Sequence, residues 1–252
     1  MTIDSPRPEE ISGLRRLWKQ AFSDTDEFLD GFFSAGYSPS RCRCLHTEGQ
    51  LAAALYWFDC TWQQKKVAYI YAVATDTAFR GKGLCRALME DTHRHLKEQD
   101  YAGAALVPGS KELFSLYEKL GYRAFCPMDS LTETPGSLPL PVDTVPAQVY
   151  SALRKTHLPE DGICQDGKTL DFFATYGAFY RTEHTIFCAA REDKVLYFQE
   201  YLGDPAHVPG ILAALGAEKG VLRLPGENTP FAMYLPLDHT DKLPSYLGIA
   251  LD

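Results

Sequence analysis

The sequence predicts an α/β fold in two parts: a mixed, mostly antiparallel sheet flanked by helices, followed by a second, smaller α/β lobe. Three observations carry this prediction. Over residues 72–89 an apolar β-type run passes through a short basic glycine loop straight into an amphipathic helix. Two amphipathic helices and three strand-like runs precede that segment. Beyond a proline-rich passage at 135–146, a similar order of elements recurs. With 252 residues and 45% hydrophobic content, the chain has enough apolar material for cores of this kind.

The first half reads in order as follows. Residues 8–21 place Ile11, Leu14, Leu17, Trp18 and Ala21 at helical spacing, and 26–33 continue with Phe28, Leu29, Phe32 and Phe33. Residues 41–46, 51–58 and 67–75 read as strands, with Glu48, Gly49 and Gln50 turning between the first two. Tyr56, Trp57, Phe58, Trp62, Tyr69 and Tyr71 crowd the later two strands, where sheet packing accounts for most aromatics. After the glycine loop, Leu84, Ala87 and Leu88 supply the apolar stripe of a helix. A buried strand at 101–107 follows, then a break at Pro108, Gly109 and Ser110, then a helix over 111–120 ending at Gly121.

The strand-to-helix junction is an anion cradle. The first backbone N–H groups of a helix have no intrahelical partner, and the helix dipole adds partial positive charge there. Gly81 and Gly83 allow close backbone approach, while Arg80, Lys82 and Arg86 bring three cations to the turn. Neither common nucleotide loop fits. There is no G-x-x-x-x-G-K-[ST], and Arg86 occupies the third glycine position of G-x-G-x-x-G. The loop resembles the pyrophosphate loop of the GNAT superfamily of acyl-CoA-dependent N-acyltransferases, [QR]-x-x-G-x-[GA], read here as Arg80-Gly-Lys-Gly-Leu-Cys85. Cys85 departs from the usual Gly or Ala. Downstream, Leu116-Tyr-Glu-Lys-Leu-Gly-Tyr122 is similar to the F/L-Y-x-x-x-G-F/Y segment of the same superfamily. The resemblance covers residues 1–134, about half the chain.

The resemblance implies an acetyl-CoA-dependent N-acetyltransferase that moves an acetyl group to a primary amine by direct attack in a ternary complex. It assigns cofactor binding to Val73, Ala74, Thr75, Arg80, Gly81, Lys82, Gly83, Leu84, Cys85 and Arg86. Backbone groups of 73–75 would bind the pantetheine arm like an added strand, with the Val73 N–H donating to the oxyanion. Tyr117 matches the tyrosine that protonates the departing thiolate. Many members carry a glutamate on the strand before the loop, but residues 69–73 hold no carboxylate; Tyr69 and Tyr71 stand there. The general base therefore stays open among Asp59 through a water chain, His46, His93, His95 and Glu112. The missing carboxylate and Cys85 leave a non-catalytic acyl-CoA-binding or regulatory protein as the alternative, and an interaction protein using the second lobe as a third reading.

The expected division is a GNAT domain at 1–134, a proline-rich linker at 135–146, and a degenerate GNAT-like domain at 147–252. In that lobe residues 170–180, 186–191 and 195–202 echo the helix–turn–strand–strand order of 28–37, 41–46 and 51–58, and 208–215 reads as a helix. At its strand-to-helix junction, residues 203–210, no Lys or Arg stands, so one acyl-CoA site is expected. Net charge is −8, divided −2 over 1–135 and −6 over 136–252, which opposes general nucleic-acid binding and reads as a solvated acidic surface. Seven cysteines without a C-x-x-C pair predict free thiols, no metal site and a cytoplasmic setting, and no long apolar stretch predicts a membrane span.

Overall fold

The computed structural model describes residues 1–251, and its strands form two sheets. The chain begins with β1 (Thr2–Asp4), α1 (Ile11–Phe22) and α2 (Asp26–Gly31), the last running into a π-helical turn at Phe32–Gly36. A meander follows: β2 (Cys42–Thr47), β3 (Gln50–Trp62) and β4 (Lys65–Thr75). Next come α3 (Leu84–Glu98), β5 (Tyr101–Leu106), α4 (Lys111–Glu118), β6 (Arg123–Phe125) and β7 (Met128–Glu133). The second half holds β8 (Asp143–Val145), α5 (Ala147–His157), β9 (Cys164–Gln165), α6 (Lys168–Phe173), β10 (Gly177–Arg181), β11 (Ile186–Glu192) and β12 (Val195–Leu202). It finishes with α7 (Val208–Leu215), β13 (Lys219–Pro225) and β14 (Ala232–Pro236).

The first sheet runs β1-β2-β3-β4-β5-β14-β6, with β9 also pairing β3; the second runs β7-β13-β12-β11-β10-β8. Both are built on one plan. In the first, β2, β3 and β4 are antiparallel, and α3 crosses over to set β5 parallel to β4. In the second, β10, β11 and β12 are antiparallel, and α7 crosses over to set β13 parallel to β12. A crossover is what a parallel neighbour requires. The repeat therefore exists, but one strand out of the expected register. Residues 177–181, read as the end of a helical segment, form β10, so β11 and β12 correspond to β3 and β4. The strong apolar run of 170–180 hid this change, because α6 stops at Phe173 and a three-residue turn is enough to start the strand.

The sheets do not divide where the expected domain boundary lies. β7, inside residues 1–134, pairs with β13 of the second sheet, whereas β14, from the second half, lies between β5 and β6 of the first. The lobes thus exchange a strand each. Gly103 permits the exchange on its side, since a Cβ there would overlap the Tyr234 hydroxyl of β14. The passage 135–146 is not a loose linker either. Gly136 and Leu140 donate backbone bonds to Pro209 and Gly210 of α7, and residues 143–145 are β8.

The largest core joins the two lobes. Trp18, Phe32, Tyr56 and Phe58 of the first half pack in one cluster with Phe172, Phe173, Tyr246 and Leu251 of the second. Residues 246–251 are all buried. Gln165 grips this tail with both ends of its amide, accepting from the Ile249 N–H at 3.0 Å and donating to the Ile249 carbonyl. Beside it Arg154 and Glu200, each fully buried, form a bidentate pair at 2.6 and 2.8 Å, and the Tyr150 and Tyr246 hydroxyls donate to the same carboxylate. All seven cysteines are free, with Cys42 and Cys44 facing the same side at 3.9 Å between sulfurs.

Candidate active site

The site begins with an irregularity in β4. Tyr71 pairs with Tyr56 and Ala74 with Ala54, so Leu55 alone opposes both Ala72 and Val73. The extra residue is a β-bulge, and Ala72 takes a left-handed φ of 49°. That conformation costs a non-glycine residue about 1–2 kcal/mol. On the other side of β4, parallel pairing with β5 stops at Tyr69 and Ala105. Beyond that point lies a cavity of about 320 Å³, lined by Ile70, Ala72 and Val73 of β4 and by Leu106 and Val107, which follow the last residue of β5 that pairs with β4. The bulged residues Ala72 and Val73 line this opening, where an extended chain can add as a strand.

β4 leads directly to the cradle. Asp76 caps a 3-10 turn at Thr77–Phe79 by accepting from the Ala78 N–H at 2.9 Å. Gly81 and Gly83 then take φ values of +75° and +76°, which only glycine adopts readily, and the Gly83 carbonyl accepts the first bond of α3 from Ala87. Open space surrounds both glycines. Thr75, Arg80, Gly81, Gly83, Leu84, Cys85 and Arg86 line one depression of about 220 Å³ at this helix end. The Nζ of Lys82 lies 5.0 Å from the centre of the Phe79 ring. Cys85 packs partly against the core, and burial pushes its thiol pKa up, so the side chain stays neutral beside an anion. The residues therefore suit a diphosphate followed by an extended arm. Of the positions expected to bind cofactor, Val73 lines the cavity, Ala74 points into the core, and the others form or flank the cradle.

Tyr117 of α4 lines the cavity and is 6% exposed. Burial pushes its phenol well above the ordinary range, so it remains a hydrogen-bond donor throughout neutral pH. None of the bases open to sequence reasoning lines the cavity. Asp59 is held by the Arg41 guanidinium at 2.8 Å and by the Tyr101 hydroxyl, in a separate depression. His46 bonds Glu10 at 2.6 Å. His93 sits against the Tyr122 hydroxyl at 2.9 Å, with its pKa lowered to about 4 by burial. His95 packs on Trp57, and Glu112 lies in the exposed first turn of α4.

Sequence reasoning missed several walls of the cavity. Trp18 and Phe28 read as helix-packing residues, yet they line it together with Phe22, Tyr69, Tyr71, Leu251 and one carboxylate, Asp24. The turn after α1 was the available signal for Asp24: Ser23 takes a left-handed φ of 61° at the helix end and folds the chain back. Leu251 had none, because its N–H reaches the Tyr69 hydroxyl at 3.2 Å only through the tail's path across the lobe interface.

The second lobe repeats the junction without the loop. Asp204 accepts from the Ala206 N–H at 2.9 Å, as Asp76 does from Ala78, but the 3-10 turn at Pro205–His207 continues straight into α7. The residues equivalent to Arg80–Gly83 are missing, so no cradle forms. Residues 2–125 match the family model described as an acetyltransferase (GNAT) domain, and this part of the chain belongs to that superfamily. A GCN5-related N-acetyltransferase from Kribbella flavida superposes with a TM-score of 0.70 at 14% identity, covering 92% of this chain and 70% of that one. One from Anabaena variabilis ATCC 29413 gives 0.69 at 17% identity, covering 94% and 73%. A tandem GNAT protein from the clavulanic acid biosynthesis pathway gives 0.58 at 8% identity, covering 95% and 100%. These structural likenesses show the fold. No curated protein matches the sequence.

Proposed function

We propose that the protein is an N-acetyltransferase that transfers the acetyl group of acetyl-CoA to a primary amine in a ternary complex. One observation carries the reading: the bulge at Ala72 and Val73 faces a cavity at the β4–β5 opening, on the strand that ends in the basic glycine loop. Arg80, Lys82, Arg86 and the first amides of α3 hold the diphosphate. Backbone groups of Val73, Ala74 and Thr75 hold the pantetheine arm. Acetyl-CoA supplies a thioester whose carbonyl carbon is open to a neutral amine and whose sulfur is the leaving group. The Val73 N–H donates to the carbonyl oxygen as it gains charge. The Tyr117 hydroxyl gives its proton to the sulfur as the C–S bond breaks, the amine's proton passes to solvent, and Tyr117 regains a proton from solvent.

The setting proposed is cytoplasmic, in keeping with seven free cysteines. No helix among the described residues is long and apolar enough to cross a membrane. A second reading, acyl-CoA binding without transfer, draws on the absence of a carboxylate in residues 69–73. Incubation with acetyl-CoA and a panel of amines separates the two. Thiol release with a product 42 Da heavier than the amine, the mass of an added acetyl group less one hydrogen by covalent bookkeeping, supports transfer; binding without product from any amine supports the second reading.

A further inference from the structure

Among the described residues that line the cavity, Asp24 is the one carboxylate, and none is Lys, Arg or His. Two acidic residues of the following helix α2 are paired: Asp26 with Lys19 at 2.6 Å and Asp30 with Arg15 at 2.7 Å. Asp24 instead accepts a single bond at 2.7 Å, from the indole Nε1 of Trp18. Trp18 is 2% exposed and wedged against Phe32, Tyr56 and Tyr71, so the carboxylate is fixed in place on a rigid support. Around it stand the rings of Phe28, Tyr71 and the half-exposed Phe22, surfaces that attract a cation through their faces.

A half-buried carboxylate in the wall of the cavity favours a cationic group there, and the attacking nitrogen cannot carry that charge, since an ammonium has no lone pair to give. We propose that the acceptor is a diamine-type molecule: one nitrogen reacts near Val73 and Tyr117 while a second, cationic group across an apolar spacer is held by Asp24. This rests on the acyl-transfer reading of the same cavity. Trp18 acts as a positioning residue for Asp24. An acceptor with a carboxylate in place of the second cation meets Asp24 with nothing to neutralise it, which makes the site selective by repulsion as well as by attraction.

Three probes of one chain length test this: 1,5-diaminopentane, pentan-1-amine and 5-aminopentanoate, titrated calorimetrically into the CoA-saturated protein and then assayed with acetyl-CoA. The expected order of affinity is diamine, then monoamine, then amino acid, with at least tenfold between the first two. Asp24→Asn, which keeps an acceptor for Trp18, abolishes the advantage of the diamine over the monoamine, and Asp24→Glu restores part of it. The dissociation constant for acetyl-CoA stays the same in both variants. An unchanged diamine-to-monoamine ratio in Asp24→Asn, tightest binding of 5-aminopentanoate, or no binding of any probe overturns the proposal. If the expected order holds but no probe is acetylated, the failure belongs to the acyl-transfer reading instead.

Discussion

At Arg80 the Nε already donates to the Thr75 carbonyl at 3.1 Å, which braces the side chain across the loop and leaves its terminal nitrogens for phosphate. Hydrogen bonds to charged groups contribute about 1.5–3 kcal/mol. Arg80→Ala is therefore expected to weaken acetyl-CoA by roughly 10- to 150-fold in a binding titration, and unchanged affinity would remove the cradle assignment. Tyr117→Phe keeps the ring that packs edge-on with Tyr122 at 5.7 Å and deletes only the donor. Turnover should fall by about 10²-fold or more, with cofactor affinity preserved. Because burial raises the phenol pKa, Tyr117 stays protonated and adds no limb to the rate profile below pH 10. Any rise of rate with pH in that range comes from deprotonation of the amine. A normal rate in Tyr117→Phe would mean that water protonates the sulfur.

Among the elements, α3 carries a group whose titration is readable. His93 has its pKa lowered to about 4 by burial, against the ordinary 6.5 of an unfolded chain. As pH falls, the unfolded chain takes up the proton first, so stability is full above pH 6.5 and is lost between pH 6.5 and 4, by about 3 kcal/mol. Urea midpoints of the wild type should drop over that window more than those of His93→Gln; parallel curves would contradict this environment for the ring. The same helix shows what a sequence can carry. Its start is written locally, in Arg80-Gly-Lys-Gly, because positive φ and a free helix end are properties of a few adjacent residues. β2, β3, β4 and α4 are legible for the same reason, as runs of period 2 or 3.6. The β4 bulge is not, since it depends on the register against β3. Neither is the place of β7 or β14: a strand's sequence states that it will pair, not with which neighbour. Leu251 belongs to the site through the path of the tail, which leaves no local pattern, and Asp24 through the chain reversal after α1.

The molecule as a whole is a tandem whose halves cannot be separated cleanly. Removing residues 140–252 would leave β6 without β14, its only sheet partner among the described residues, and β7 without β13. The isolated first half is expected to be insoluble or unfolded, and the intact chain to unfold in one cooperative transition despite its two sheets. Two well-resolved calorimetric transitions would contradict that. The shared core and the buried Arg154–Glu200 pair make the second lobe a frame that holds residues 246–251 against the first. The second lobe lacks a cradle of its own, so one donor site per chain is expected. Isothermal titration with acetyl-CoA of the intact protein and of Arg80→Ala tests this most directly. The predicted result is a single site per chain whose affinity falls at least tenfold on removing Arg80. Two sites, or no binding to the intact protein, would contradict the central claim.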